Sequence, residues 1–157
     1  MTKQELKDYG VKVSQASRTG LIVIMYDIAI KYLDDAIKAY EVSDTAGYRE
    51  YLKKGKNIIN ELSSALDMKY PVSSGLFGIY TFMNNALVRA DIRNDASEVG
   101  RIKDMLVRLR TSFETVSRTD DSGPVMENSQ QVYAGLTYSR SSLNEDVYNN
   151  DRRGFTV

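Results

Sequence analysis

Histidine and cysteine, the side chains that most often serve as base, nucleophile or transition-metal ligand near neutral pH, are both missing from this sequence. Without cysteine there is no disulfide, thiolate metal site or thiol catalysis, and the composition fits a reducing compartment. Without histidine there is no phosphoacceptor of the histidine-phosphotransfer kind and no Glu-x-x-His motif of a di-iron bundle. Carboxylates, lysines and tyrosines remain. Asp34 with Asp35, or Asp120 with Asp121, suggests a metal pair at first sight. Adjacent helix positions diverge by about 100°, however, and oxygen-only sites draw several ligands from a shaped loop, so these carboxylates read as solvated surface. The basic set Arg101, Lys103, Arg108 and Arg110 is interrupted by Glu98, Asp104 and Glu114 and lacks an aromatic platform. It reads as a solvated or partner-facing helix face. No catalytic residue, metal site or cofactor is expected, and an enzyme is disfavoured because no nucleophile with its base is visible.

Eleven tyrosines against no tryptophan leave tyrosine as the side chain with most recognition chemistry. Its large apolar body and single hydroxyl suit both the margin of a bundle and a helix-binding groove. Spacing alone explains Tyr26, Tyr32, Tyr51 and Tyr80 as core or edge packing. Tyr9 and Val13, spaced i and i+4 ahead of the first long helix, form a short amphipathic piece that either closes a groove or stands aside for a ligand.

The elements that must position these residues are helical. Leu21, Met25, Ile28, Ala29, Tyr32, Leu33, Ala36, Ile37 and Tyr40 recur at helical spacing, with Ser17 or Thr19 as cap. Val23, Ile24 and Ile30 make this helix apolar over most of its circumference, which predicts a central place. A second stripe runs from Tyr48 through Leu52, Ile58, Ile59 and Leu62 to Leu66, and Gly55 within it predicts close packing with a neighbour. A third, after Pro71, is capped by Ser73 or Ser74 and carries Leu76, Ile79, Tyr80, Met83, Ala86, Leu87 and Ala90, with Phe77 and Phe82 beside it. The fourth opens on a capping box of Asp95 and Glu98 and continues through Val99, Ile102, Leu106, Leu109 and Phe113 to Val116. Short connections around residues 43–46, 69–74 and 92–95 make successive helices antiparallel neighbours. The expected fold is all-α: an antiparallel up-down four-helix bundle with a short N-terminal helical piece and a C-terminal tail. One bundle domain over residues 1–117 and a mobile tail over 118–157 are expected, because polar and small residues dominate after Val116.

The 21 basic and 21 acidic side chains cancel, so charge gives no case for a nucleic-acid or membrane-surface partner. The first residues lack an apolar signal region, and no later apolar run approaches the ~20 residues of a membrane span. No membrane insertion and a cytoplasmic location are expected.

Tyr9, Val13, Ala16-Ser17, Leu21-Ile22, Met25-Tyr26-Asp27, Ala29-Ile30 and Leu33 resemble the N-terminal signature of the FliS family of flagellin export chaperones. Ile58-Ile59-x-Glu61-Leu62 with Leu66-Asp67 resembles the family's second-helix motif, and Tyr80, Phe82-Met83 and Leu87 resemble its Leu-Tyr-x-Tyr-Met stretch. Ala90-Asp91 with Asn94-Asp95, then Leu106, Leu109-Arg110 and Phe113, are similar to its later motifs in the same order, so the likeness covers about residues 9–113. Arg18 stands where the family usually has proline, Ile28 where it has glycine, and Phe113 where it has tryptophan.

The resemblance implies a chaperone that holds the C-terminal, helix-forming segment of flagellin in the cytoplasm, prevents premature polymerisation and accompanies it to the flagellar export gate. Tyr9, Val13, Met25, Tyr26, Tyr80, Leu87 and Asn94 are expected to form or shape its groove. A self-associating structural or signalling bundle is the alternative. Within the tail, Val125, Ser129, Val132 and Leu136 share one helical face with Met126 and Tyr133 beside it, and Asn128-Ser129-Gln130-Gln131-Val132 weakly resembles a stretch near flagellin C-termini. Residues 125–136 would then dock in the protein's own groove, against the alternative of a disordered tail favoured by Gly123, Pro124 and Gly135.

Overall fold

The structure is a computed structural model that describes residues 1–126, and these form five helices. They are α1 (Lys3–Gln15), α2 (Arg18–Glu41), α3 (Thr45–Ser64), α4 (Pro71–Arg93) and α5 (Ser97–Ser117). Helix α1 starts on a reciprocal capping box, with the Thr2 hydroxyl accepting from the Glu5 N–H at 3.2 Å and the Glu5 carboxylate accepting from the Thr2 N–H at 2.7 Å. Ser17 is the N-cap of α2, accepting from the Gly20 N–H at 3.1 Å. Asp44 caps α3 through the Gly47 N–H at 2.9 Å.

Two helix starts differ from expectation. Helix α4 begins at Pro71, ahead of both serines, because proline's fixed φ and missing N–H suit the first helical position. Ser73 is buried there and donates to the Asp67 carbonyl at 2.7 Å, satisfying the loop before the helix. At α5 the Asp95–Glu98 box does not form. The Asp95 carboxylate accepts from the Ser97 N–H and hydroxyl, each at 2.9 Å, and Glu98 reaches Arg89 at 3.2 Å.

Helices α2 to α5 make a square. Helix α2 packs on α3 and α5, and α4 completes the other two sides. Cross-helix pairs fix the directions. Tyr40 and Tyr48 stack with centroids 5.3 Å apart where α2 turns into α3, and Arg49 pairs with Asp91 at 3.5 Å where α3 starts and α4 ends. Asn60 accepts from Asn84 at 2.6 Å further along, and Lys103 pairs with Asp34 at 2.9 Å. Neighbours are antiparallel throughout. Gly55 lets α3 approach α2, since a Cβ there would sit 2.9 Å from Leu33 Cδ2. The core between the helices holds Leu33, Leu52, Ile59, Met83, Leu87, Ile102 and Leu106, each burial being worth about 1.5–3 kcal/mol.

Tyr48 closes the end where α4 passes into α5. Its hydroxyl donates to the Asp95 carbonyl at 3.0 Å, and burial, then nearby Asp91 and Asp95, push its phenol up to about 12. No described helix is long and apolar enough to cross a membrane.

Candidate functional site

At the opposite end of the square, the first turns of α2 and α4 meet the last turns of α3 and α5, and here Tyr26 and Tyr80 reach across the diagonal. Their hydroxyls hydrogen-bond to each other, and both side chains are fully buried. Burial first, and for Tyr26 the bond to Tyr80 as well, raises both phenols, so they stay protonated in any physiological medium. Phe113 lies against Tyr26 with ring centroids 5.5 Å apart. Outside this aromatic floor is an apolar cavity of ≈ 200 Å³, lined by Ile22, Leu66, Tyr70, Val72, Leu76 and Phe113 among others. It is large enough for one or two aliphatic side chains. Tyr70 and Val72 stand exposed at its rim.

Away from this cavity, the outward side of α4 carries large apolar side chains where a bundle helix is ordinarily charged. Phe77 is 49% and Phe82 52% exposed, and Val88 and Ile92 are exposed further along. At about 100° per residue, Phe77 and Val88 fall on one flank and Phe82 on the other, with Gly78, Thr81 and Asn85 between them. A Cβ added at Gly75 or Gly78 would meet nothing within 4 Å. The bundle's own packing therefore does not require those glycines, although each costs the helix about 1 kcal/mol against alanine. On the Phe82 flank a second shallow cavity, ≈ 270 Å³, runs to Ile102 and Met105 of α5.

Helix α1 lies along α2 in the reverse direction, with Glu5 paired to Lys31 at 3.1 Å and Tyr9 within the field of Asp27. Partial burial first, and Asp27 second, raise the Tyr9 phenol. None of its residues is fully buried. Arg110 of α5 pairs with Asp27, so Tyr9 sits near an α2–α5 ion pair.

The residues expected to form or shape a groove are thus distributed. Tyr26 and Tyr80 come together, but as buried floor. Leu87 is fully buried in the middle of α4. Tyr9 and Val13 are half-buried on α1, and Met25 is half-buried on α2, packed against the core. Asn94 is remote: it ends α4 in the left-handed conformation, φ 49°, about 20 Å along the helix from Tyr80. There it borders a polar cavity with Tyr40, Ser43 and Thr45. Val125 is exposed, while Val132, Tyr133 and Leu136 lie outside the described residues. Periodicity did not single out Phe77, Phe82, Tyr70 and Val72. The available signal was the apolar character of α4 off its core stripe.

The family model for "Flagellar protein FliS" matches residues 2–120. A protein of Bacillus subtilis (strain 168), the flagellar secretion chaperone FliS, is 26% identical over 108 residues, which cover 69% of this chain and 81% of that protein. The flagellar secretion chaperone FliS of Salmonella typhimurium (strain LT2) is 30% identical over 108 residues, covering 67% of this chain and 80% of that protein.

Proposed function

The chain belongs to the FliS family of flagellar proteins, and from that premise we propose that it is a flagellar secretion chaperone that binds the C-terminal, helix-forming segment of flagellin in the cytoplasm. It keeps that segment from polymerising early and presents it to the flagellar export gate. The observation that carries this reading is the set of large apolar side chains left exposed on the outward side of α4, Phe77, Phe82, Val88 and Ile92. An amphipathic segment laid along α4 would place its apolar face between Phe77 and Phe82. Gly75 and Gly78 let its backbone approach closely. Tyr26, Tyr80 and Leu87 shape the floor from within, Tyr9, Val13 and Met25 form the α1–α2 margin, and Asn94 marks the far rim.

Burial of apolar surface drives such binding, and ordering a segment that is disordered before assembly subtracts from it, which keeps the complex releasable. No bond is made or broken. Calorimetry with the C-terminal peptide of the cognate flagellin tests the reading. Phe77→Ser and Phe82→Ser should each weaken binding about tenfold or more, with little change in melting temperature because both rings are half exposed. Unchanged affinity in both variants would refute it. A stable homodimer that ignores the peptide in sedimentation would instead favour the self-associating bundle.

A further inference from the structure

The chain does not leave the bundle where α5 ends. Past Arg118 it turns back over the junction of α1 and α2 and is bonded there twice. The Asp120 carboxylate accepts from the Thr19 N–H, in the first turn of α2, at 3.1 Å. Its other oxygen accepts from the Ser122 N–H at 3.0 Å and from the Ser122 hydroxyl, which fixes the carboxylate's direction. Five residues after Asp120, the Val125 N–H donates at 3.0 Å to the carbonyl of Ala16, the C-cap of α1. Ala16 is buried at this point.

These bonds lie where the local structure is short of support. The first turn of α2 contains no acidic residue and places Arg18 at its first position, so its helix-end charge is uncompensated from within. Asp120 supplies that compensation from 101 residues away. Helix α1 has no fully buried residue; its N-terminal end is held on α2 by the Met1 ammonium on Asp35 and by the Glu5–Lys31 pair, so the orientation of its C-terminal half depends on the stiffness of the Ala16–Ser17 joint. A carboxylate on one side of that joint and a backbone bond on the other clamp it.

We propose that residues 118–125 are a latch, with Asp120 as its positioning residue, that holds α1 down on α2 and so keeps the α1–α2 margin of the proposed flagellin site closed to a helical ligand. Release of the latch lets α1 swing at Ala16–Ser17 while α2–α5 remain folded. The restraint on α1 is a property of the free protein. Its consequence for ligand access rests on the flagellin-binding reading above.

The test compares the full chain with Asp120→Ala and Asp120→Asn by residue-resolved amide hydrogen exchange without ligand, and then by calorimetry with the flagellin C-terminal peptide. In Asp120→Ala the Thr19 amide should lose protection, which verifies that the bond is gone. Exchange across residues 7–15 should then rise about tenfold while the slow amides of α2–α5 keep their rates. Asp120→Asn, which retains an acceptor oxygen, should fall between. Peptide affinity should rise severalfold in Asp120→Ala. An exposed Thr19 amide with unchanged α1 exchange would overturn the latch. Faster α1 exchange with equal or weaker affinity would overturn the claim that it restrains binding. If the peptide binds no form of the protein, the flagellin reading fails, and the exchange data still decide whether the latch exists.

Discussion

At the scale of single residues, Arg18 occupies a position built for proline. It is the first residue of α2, its N–H belongs to the helix-end group that needs no internal partner, and Ser17 before it is extended, with φ −65° and ψ 171°. Arg18→Pro should stabilise the protein by about 0.4–1 kcal/mol by narrowing the unfolded ensemble, measured by urea unfolding at unchanged m-value. Destabilisation would mean that the Arg18 backbone carries a bond needed by the fold. Phe113 is the second informative residue. The cavity of ≈ 200 Å³ beside it has room for an indole, and the chain has no tryptophan, so Phe113→Trp makes a single reporter in the candidate site. The substitution should cost less than about 1.5 kcal/mol. Its emission should shift when flagellin peptide saturates the protein, and an unchanged spectrum would place the ligand elsewhere.

At the scale of elements, α1 should be the acid-sensitive one. The Thr2 backbone N–H, then the Lys31 ammonium, bring the Glu5 carboxyl from its ordinary 4.5 down to about 2. A carboxyl lowered on folding contributes its stabilisation fully above the unfolded value and loses it as pH falls through the folded one. The α1 tie should therefore weaken between about pH 4.5 and 2. Amide chemical shifts of residues 4–15 followed through that range should move toward unfolded values in the wild type, and Glu5→Gln should show the loosened state already at pH 6. Helices α2 to α5 were legible in the sequence because a buried stripe must recur every three to four residues, and Gly55 announced the close approach to Leu33. Their ends were less legible. Serine after Pro71 and the Asp95–Glu98 spacing look like caps, but whether a polar side chain turns to its own helix or to a neighbour depends on tertiary contacts: Ser73 chose Asp67, and Glu98 chose Arg89. The bonds of Asp120 and Val125 left no pattern at all, since a single long-range backbone bond has no period.

At the scale of the whole molecule, the diagonal bond between Tyr26 and Tyr80 ties two helices of the square that share no side, and the Tyr80 ring also lines the candidate cavity. Buried polar groups cost most when one partner is removed and the other is left alone. Tyr80→Phe strands the Tyr26 hydroxyl in the core and should cost about 1–3 kcal/mol, and Tyr26→Phe should do the same to Tyr80. Removing both hydroxyls leaves two rings of nearly the same shape and no orphan, so the double variant should cost no more than about 1 kcal/mol, well below the sum. Urea unfolding of the four proteins measures this coupling. Additive losses would mean that each hydroxyl has its own partner and that the diagonal is not bonded. Because the rings keep the cavity's outline, the double variant should bind flagellin peptide within about twofold of wild type. A larger loss at preserved stability would mean that a phenol hydroxyl itself contacts the ligand, which requires the floor to open on binding.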